Sequence, residues 1–114
     1  MAWPFFRVAV AEQSMLPVLY PGDWLLCRRT RHIRPGDLVV AKNPEKPDML
    51  VVKRAGRRAG PAAWWLESEN PYANAVDSNR FGPVPDQLIA GRVLTRYWPV
   101  RNGMWHITRP RSRV

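Results

Sequence analysis

Apolar residues along this chain occur in short runs that are separated by proline- and glycine-rich turns. Six segments have strand length and are either alternating or continuously apolar, and these are 5–11, 23–29, 38–41, 49–55, 63–67 and 88–97. No stretch longer than about ten residues keeps a helical period without a proline, a glycine or a β-branched cluster. The pattern therefore predicts an all-β (mainly β) domain of short strands.

The turns and the longest apolar run carry more specific predictions. Residues 49–55 are continuous enough to predict a strand that is buried on both faces, and residues 43–48 predict a loop. Residues 68–85 predict an irregular polar loop. Gly91 interrupts the last strand, which predicts a bulge there.

The chain has 114 residues, enough for one hydrophobic core. We expect residues 1–99 to form a single domain and residues 100–114 to form a basic C-terminal tail. No apolar run approaches the roughly 20 residues of a spanning helix, so we expect no transmembrane segment. The small residues 9–11 follow no long apolar stretch, so no signal peptide is expected. These features predict a location in the cytoplasm or at the periphery of a membrane.

The charge of the chain is strongly positive. Eighteen basic and nine acidic residues leave a net charge of +9, and no acidic residue follows Asp86. This excess predicts either attraction to an anionic membrane surface or nucleic acid, or simply a solvated basic face. The aromatic residues lie mostly inside apolar runs, which indicates core packing more than a platform for stacking bases. Nucleic-acid binding is therefore the less favoured of these partners.

Cysteine and histidine are too sparse for the commonest metal and triad chemistries. The single cysteine, Cys27, excludes an internal disulfide, and its apolar neighbours predict a buried thiol. His32 and His106 have no carboxylate nearby in sequence, so neither a Ser-His-Asp triad nor a metal site is expected. A glycine-rich phosphate loop is absent from the sequence. We therefore predict no metal and no cofactor.

Two polar residues have unusually apolar surroundings. Ser14 precedes a Met-Leu-Pro sequence and a Pro-Gly turn, so its hydroxyl is presented beside an apolar surface. Lys53 follows the apolar run 49–52, and lysine is seldom buried unless it is paired or functional. A desolvated lysine can act as general base for a serine hydroxyl. An outward-facing lysine at a strand edge fits the same spacing.

Five short motifs, in their order along the chain, resemble those of the signal peptidase I family. They are SMLP at 14–17, PGD at 21–23, RPGDLVV at 34–40, VKR at 52–54, and DSNRFGPVP at 77–85 followed by GRV at 91–93. The resemblance extends from about residue 6 to residue 99. The compact form without an anchor, and the NPYA sequence at 70–73, look most like the small nickel-type superoxide dismutase maturation proteases.

The resemblance implies a serine endopeptidase that removes a short N-terminal leader or propeptide from a protein substrate. In such an enzyme Ser14 would be the nucleophile, Lys53 its general base, and the backbone N–H of Ser14 a donor to the oxyanion. Family members bind an extended peptide as an added strand and prefer small residues before the cut. The residues that would line those shallow pockets are Met15, Leu19 and Val52.

The chain departs from the family pattern beside the implied catalytic residues. Glu12 stands where members often carry a small residue whose hydroxyl aids the oxyanion, and the Gly-Asp-Asn motif reads Ser-Glu-Asn at 68–70. The hydroxyl that usually orients the lysine falls on Ala75, and Ser68 and Ser78 are the candidates to replace it. The family's Asp-Ser-Arg motif begins here at Asp77, and its arginine is replaced by Asn79.

These departures keep two alternatives to an active protease open. One is a catalytically weak or inactive family member that binds peptides without cutting them, which Glu12 and Ala75 suggest. The other is a basic β domain that binds nucleic acid through its arginines, with an affinity that falls steeply with salt.

Overall fold

The computed structural model describes residues 3–11, 13–70 and 81–99, and these contain seven strands and one short 3-10 helix. The strands are β1 (Phe5–Ala9), β2 (Trp24–Arg28), β3 (Leu38–Asn43), β4 (Lys46–Arg58), β5 (Ala63–Glu67), β6 (Val84–Pro85) and β7 (Ile89–Trp98). The 3-10 helix spans Asp86–Leu88. All strand pairs are antiparallel and form one sheet in the order β1-β2-β7-β3-β4-β5-β6. The predicted all-β class is confirmed.

β7 connects the two halves of the sheet. Its first residues pair with β3, with Val39 opposite Arg92, and its last residues pair with β2, with Cys27 opposite Val93. β3 is buried on both faces, because Leu38 and Val40 pack into one core cluster while Val39 and Ala41 pack into the other. The sheet therefore has a core on each side of its central strands.

Two local predictions about β4 are wrong. Residues 43–48 are not a loop, because the chain turns at residues 44–45 and β4 already begins at Lys46. Its first five residues are exposed, so the polar side chains and Pro47 cost little there. The run 49–55 is also not buried on both faces, since the Leu50 side chain is 47% exposed and burial alternates from Val51 onward. β4 is therefore exposed over its first five residues and enters the core only from Val51 onward.

The segment 68–85 is not wholly irregular, because Val84 and Pro85 pair with β5 and Val84 is fully buried. Residues 71–80 lie outside the described ranges. The bulge predicted at Gly91 is confirmed by the shift in pairing beside it, where Val40 faces Gly91 but Ala41 faces Ile89. A Cβ atom on Gly91 would overlap the carbonyl oxygen of Arg28. Glycine is therefore required by the close approach of β2.

The prediction that the aromatic residues belong mostly to the core is wrong for several tryptophans. Trp64 is buried, but Trp24 and Trp98 are 40% and 61% exposed, and Trp3 is exposed as well. Trp24 and Trp98 begin β2 and end β7, where they are opposite each other and lie beyond the core. Among the described residues, no helix has the length and apolar character needed to cross a membrane.

Cys27 is fully buried, as its apolar neighbours predict. It packs in the cluster that contains Leu25 and Val93. Burial in this apolar surrounding raises the pKa of the Cys27 thiol to about 12. The thiol therefore stays protonated and belongs to the core.

Candidate active site

Ser14 lies in a compact turn that is packed onto the core. The N–H of Leu16 donates to the carbonyl of Gln13 at 3.2 Å, and the N–H of Leu19 donates to the carbonyl of Met15 at 2.8 Å. Met15 and Leu19 are buried in the core cluster beneath this turn. Ser14 itself is only 5% exposed. The packing of Met15 and Leu19 into the core thus gives the serine hydroxyl a defined position.

Lys53 faces inward from β4. The alternating pattern of this strand buries Val51, Lys53 and Ala55, and Lys53 is only 1% exposed. This burial excludes the outward-facing alternative. Removal from water disfavours the charged ammonium relative to the neutral amine. The lysine is therefore in the kind of environment that favours a general base.

The two side chains meet across the turn and the strand. The Nζ atom of Lys53 donates a hydrogen bond to the Oγ atom of Ser14 at 2.8 Å, and another to the Oγ atom of Ser68 at 3.3 Å. A nucleophile and a base within hydrogen-bond reach are the geometric requirement for an activated hydroxyl. The arrangement can therefore pass a proton from Ser14 to a neutral Lys53.

The segment after β5 ties the Ser14 turn to the sheet. The backbone N–H groups of Glu69 and Asn70 donate to the Ser14 carbonyl at 3.0 and 2.8 Å. The Nδ2 atom of Asn70 donates to the carbonyl of Gln13 at 3.0 Å. The turn that carries the serine is thus held from outside as well as from the core below.

A partly buried ion pair anchors this segment in turn. The guanidinium of Arg54 pairs with the carboxylate of Glu69, and it also donates to the carbonyl of Gly36 at 2.9 Å. Arg54 follows Lys53 directly, so its side chain lies on the opposite face of β4. Sequence reasoning missed this pair, although its members belong to the VKR and Ser-Glu-Asn motifs.

A second ion pair, also missed, supports the other end of the turn. The Oδ2 atom of Asp23 accepts a hydrogen bond from the N–H of Tyr20 at 2.9 Å. The same oxygen lies 3.5 Å from the Nη1 atom of Arg96. Both side chains are buried. Arg96 therefore helps to hold the fold together through this ion pair. From the sequence alone it was expected only to contribute to the positive net charge.

A narrow cleft opens above Ser14 and Lys53. Residues 9–11 form one wall and residues 49–52 form the other, with Ser14, Met15 and Lys53 between them. Met15 and Val52, two of the predicted pocket residues, line this cleft. Leu19 is buried in the core and is not among the lining residues, so its contact with a substrate stays a prediction.

Each wall of the cleft includes part of a strand, which is Ala9 of β1 in one wall and residues 49–52 of β4 in the other. β1 pairs only with β2, and the pairing of β4 with β5 starts at Arg54, within the ranges the structure describes. The backbone groups of an open edge can pair with an added strand. An extended peptide in the cleft can therefore meet a strand edge on each side.

Several residues singled out in the sequence lie outside the described ranges. They are Glu12, Ala75, Ser78, Asn79 and the tail 100–114. Among the described residues, no three side chains of His, Cys, Asp or Glu are grouped so that they could hold a metal ion.

Comparison with known proteins relates the chain to one family. The sequence pattern of the Peptidase S24-like family matches residues 4–93. The chain is 37% identical to mitochondrial inner membrane protease subunit 1 of Xenopus tropicalis, over 83% of this chain and 70% of the relative. It is 43% identical to mitochondrial inner membrane protease subunit 2 of Saccharomyces cerevisiae, over 79% of this chain and 66% of the relative.

A plant relative gives a similar match. Mitochondrial ATP-independent inner membrane protease subunit 1a of Arabidopsis thaliana is 35% identical, over 75% of this chain and 66% of the relative. The chain thus spans about two thirds of the length of these relatives. The matched residues 4–93 include the Ser14 turn, β4 and both walls of the cleft.

Proposed function

We propose that this chain, which belongs to the Peptidase S24-like family, is a serine endopeptidase with Ser14 and Lys53 as its dyad. Its similarity to the mitochondrial inner membrane protease subunits supports a protease of the signal peptidase type. One observation carries the proposal. The Nζ atom of Lys53 lies 2.8 Å from the Oγ atom of Ser14, and both side chains are buried beside an open cleft. A buried lysine held at this distance supports a base that needs no histidine.

The proposed reaction begins with a proton transfer. A neutral Lys53 amine accepts the hydroxyl proton of Ser14, and the Oγ atom forms a bond to the carbonyl carbon of the substrate. The resulting ammonium then gives its proton to the departing amine as the C–N bond breaks, which leaves an acyl group on Ser14. In the second half, Lys53 accepts a proton from water as the water oxygen forms a bond to the acyl carbon. The Lys53 ammonium then returns this proton to the Oγ atom of Ser14 as the bond between Oγ and the acyl carbon breaks, which releases the product carboxyl group and restores the free serine and the neutral amine.

The backbone N–H of Ser14 is the proposed donor to the oxyanion. This N–H and the carbonyl of Gln13 belong to one planar peptide unit, so fixing the carbonyl also fixes the N–H. That carbonyl accepts hydrogen bonds from Leu16 and from the side chain of Asn70. Preorganised donors of this kind stabilise the charge that develops in the transition state.

The proposed substrate is the N-terminal extension of a protein, bound as an extended strand. The open edges of β1 and β4 would pair with its backbone, and Met15 and Val52 would contact the small side chains before the cut. The proposed role of Leu19 is to support Met15 from below. The precursor of a nickel-type superoxide dismutase is a specific substrate to test.

Cleavage of an internally quenched peptide with Ala-x-Ala before the scissile bond tests the dyad. We expect Ser14→Ala and Lys53→Met to abolish turnover while the circular dichroism spectrum and Tm stay near those of the parent. Lys46→Met is the matched control, because Lys46 lies on the same strand but is exposed. Undiminished cleavage by either dyad variant would reject the proposed function, and binding of the peptide without turnover by the parent would favour the inactive peptide-binding alternative.

The second part of the proposal concerns the location of the protein. We propose that it works in the cytoplasm or in peripheral contact with an anionic membrane. Trp24 and Trp98 are exposed neighbours on adjacent strands, and Trp24 also pairs with Ala9 at the edge of the cleft. Tryptophan favours the membrane interface, and the net charge of +9 favours anionic lipid.

Flotation with phosphatidylglycerol and phosphatidylcholine vesicles tests this contact. We expect Trp24→Ser with Trp98→Ser to reduce the fraction bound to the anionic vesicles. Trp3→Ser is the control, because Trp3 precedes the opposite end of β1 and is even more exposed to solvent than Trp24 and Trp98. Equal flotation of the double variant and the parent would remove the membrane from the proposal.

A further inference from the structure

Ser68 is the first residue after β5, and strand pairing places it opposite Lys53. Arg54 faces Glu67 and Ala55 faces Leu66, so the same antiparallel register continued by one residue brings Lys53 opposite Ser68. Side chains that are directly opposite in an antiparallel pair project from the same face. The 3.3 Å between the Nζ atom of Lys53 and the Oγ atom of Ser68 agrees with this register.

The position of Ser68 is set from both sides. β5 holds the preceding residue, Glu67, in the sheet. The following residue, Glu69, donates its N–H to the Ser14 carbonyl and pairs through its side chain with Arg54. Ser68 therefore lies where the chain leaves β5 and crosses to the nucleophile turn, and little freedom is left to its backbone.

A hydroxyl at this position restrains a long, flexible side chain. The lysine ammonium has three donors on a four-carbon stem, so each acceptor that is fixed to the fold removes part of its rotational freedom. The hydroxyl of Ser68, held just beyond the end of β5, helps to define the direction of the Nζ atom as well as its distance from Ser14. Small errors in the alignment of a base and a nucleophile cost large factors in rate.

We propose that Ser68 is the positioning residue that holds Lys53 in line with Ser14. The proposal rests on the dyad assigned above, and it assigns to Ser68 the orienting hydroxyl that the sequence lacks at Ala75. Ser68 contacts the base and has no part in bond making, so it acts through Lys53.

Steady-state cleavage of the Ala-x-Ala peptide as a function of pH gives the first test. We expect Ser68→Ala to lower kcat by about 10- to 100-fold with little change in KM, because general-base catalysis is worth about 10²–10⁴ in rate. Ser68→Thr keeps the hydroxyl and should retain most of the parent kcat. Ser78→Ala is the matched control, since Ser78 is the other hydroxyl that the sequence offers, and it should cleave like the parent.

The pH profile separates positioning from general damage to the fold. A hydroxyl that accepts a hydrogen bond from Lys53 stabilises the ammonium more than the amine, so its removal should shift the acidic limb of kcat/KM to lower pH. A loss of rate in Ser68→Ala without this shift and without rescue by threonine would overturn the inference. A loss in Ser78→Ala with full activity in Ser68→Ala would overturn it as well.

A measurement without turnover distinguishes failure of this inference from failure of the proposed function. In protein labelled with ¹³C-lysine, the Cε resonance of Lys53, identified by its loss in Lys53→Met, reports the titration of the amine. We expect this titration to move to lower pH in Ser68→Ala and to stay in place in Ser78→Ala. An unchanged titration in Ser68→Ala overturns the inference, even if Ser14→Ala and Lys53→Met abolish cleavage. A shifted titration supports the contact, even if those two variants cleave normally.

Discussion

The side-chain amide of Asn70 donates a 3.0 Å hydrogen bond to the carbonyl of Gln13, the carbonyl of the peptide unit that carries the Ser14 N–H. One residue from the Ser-Glu-Asn motif therefore sets the orientation of the proposed oxyanion donor from the outside of the turn. The same residue also donates its backbone N–H to the Ser14 carbonyl. The peptide units on both sides of the serine are thus fixed by Asn70.

Asn70→Asp should weaken catalysis more than stability. The substitution keeps the size of the side chain but replaces the donating amide with a carboxylate, which cannot donate to the Gln13 carbonyl. We expect kcat to fall by about tenfold, less than the 10²–10³ seen when an oxyanion donor itself is removed. Peptide cleavage with KM determined separately measures this, and a variant with the parent kcat would show that Asn70 does not orient the donor.

The ion pair between Arg54 and Glu69 should couple stability to activity. Breaking it with Arg54→Met or Glu69→Gln should cost about 1–3 kcal/mol in the free energy of unfolding, because the pair is largely shielded from water. Both variants should also lower kcat, since Glu69 anchors the segment that holds the Ser14 carbonyl. Urea unfolding and peptide cleavage of the single and double variants form a double-mutant cycle.

An exposed pair on the same sheet gives the control for that cycle. Arg58 pairs with Asp86 at 3.0 Å, but both side chains are more than one third exposed. Arg58→Met should therefore cost less than about 1 kcal/mol and leave kcat unchanged. If the losses in unfolding free energy for Arg54→Met and Glu69→Gln simply add in the double variant, the two residues do not act as a pair.

The buried thiol of Cys27 should be unreactive and should make stability fall at high pH. Burial raises its pKa to about 12, so alkylation by iodoacetamide at pH 8 should be slow until the protein is unfolded in urea. In the unfolded chain the thiol ionises near pH 8.5, so stability should be lost as pH rises from there towards 12. The difference from Cys27→Ala isolates this contribution, and rapid alkylation of the folded protein would contradict it.

Gly91→Ala should destabilise the sheet because its Cβ atom would overlap the Arg28 carbonyl. We expect a loss of about 3 kcal/mol, the upper end of the usual cost of overpacking, because the clash is with backbone atoms. Gly22→Ala is the comparison, because an added Cβ atom on Gly22 would meet no other atom. Its φ of +92° is unfavourable for alanine, so we expect only the cost of backbone strain, about 1 kcal/mol in the free energy of unfolding. Equal losses in urea unfolding would show that β2 and β7 separate more easily than their contact suggests.

Local chemistry determined the elements that the sequence could predict. Prolines and glycines ended each run, and apolar runs of strand length were enough to predict an all-β domain, a buried Cys27 and the bulge beside Gly91. The ordered motifs were enough to predict the family, which the match over residues 4–93 confirms. The strand rule failed at 43–48 and 49–55 because the first part of β4 pairs with β3 while its side chains stay exposed, so polar residues and Pro47 are tolerated there.

By itself, then, the sequence determined the fold class, the family and the two residues proposed for the dyad. Only the tertiary structure decided that Lys53 faces inward. Side chains alternate between the two faces of any strand, and the pairing of β4 with β3 and β5 determines which face points to the core. The same register brought Ser68 opposite Lys53, and long-range packing joined Arg54 to Glu69 and Arg96 to Asp23. These contacts bring together segments far apart in the chain, so no local pattern could reveal them.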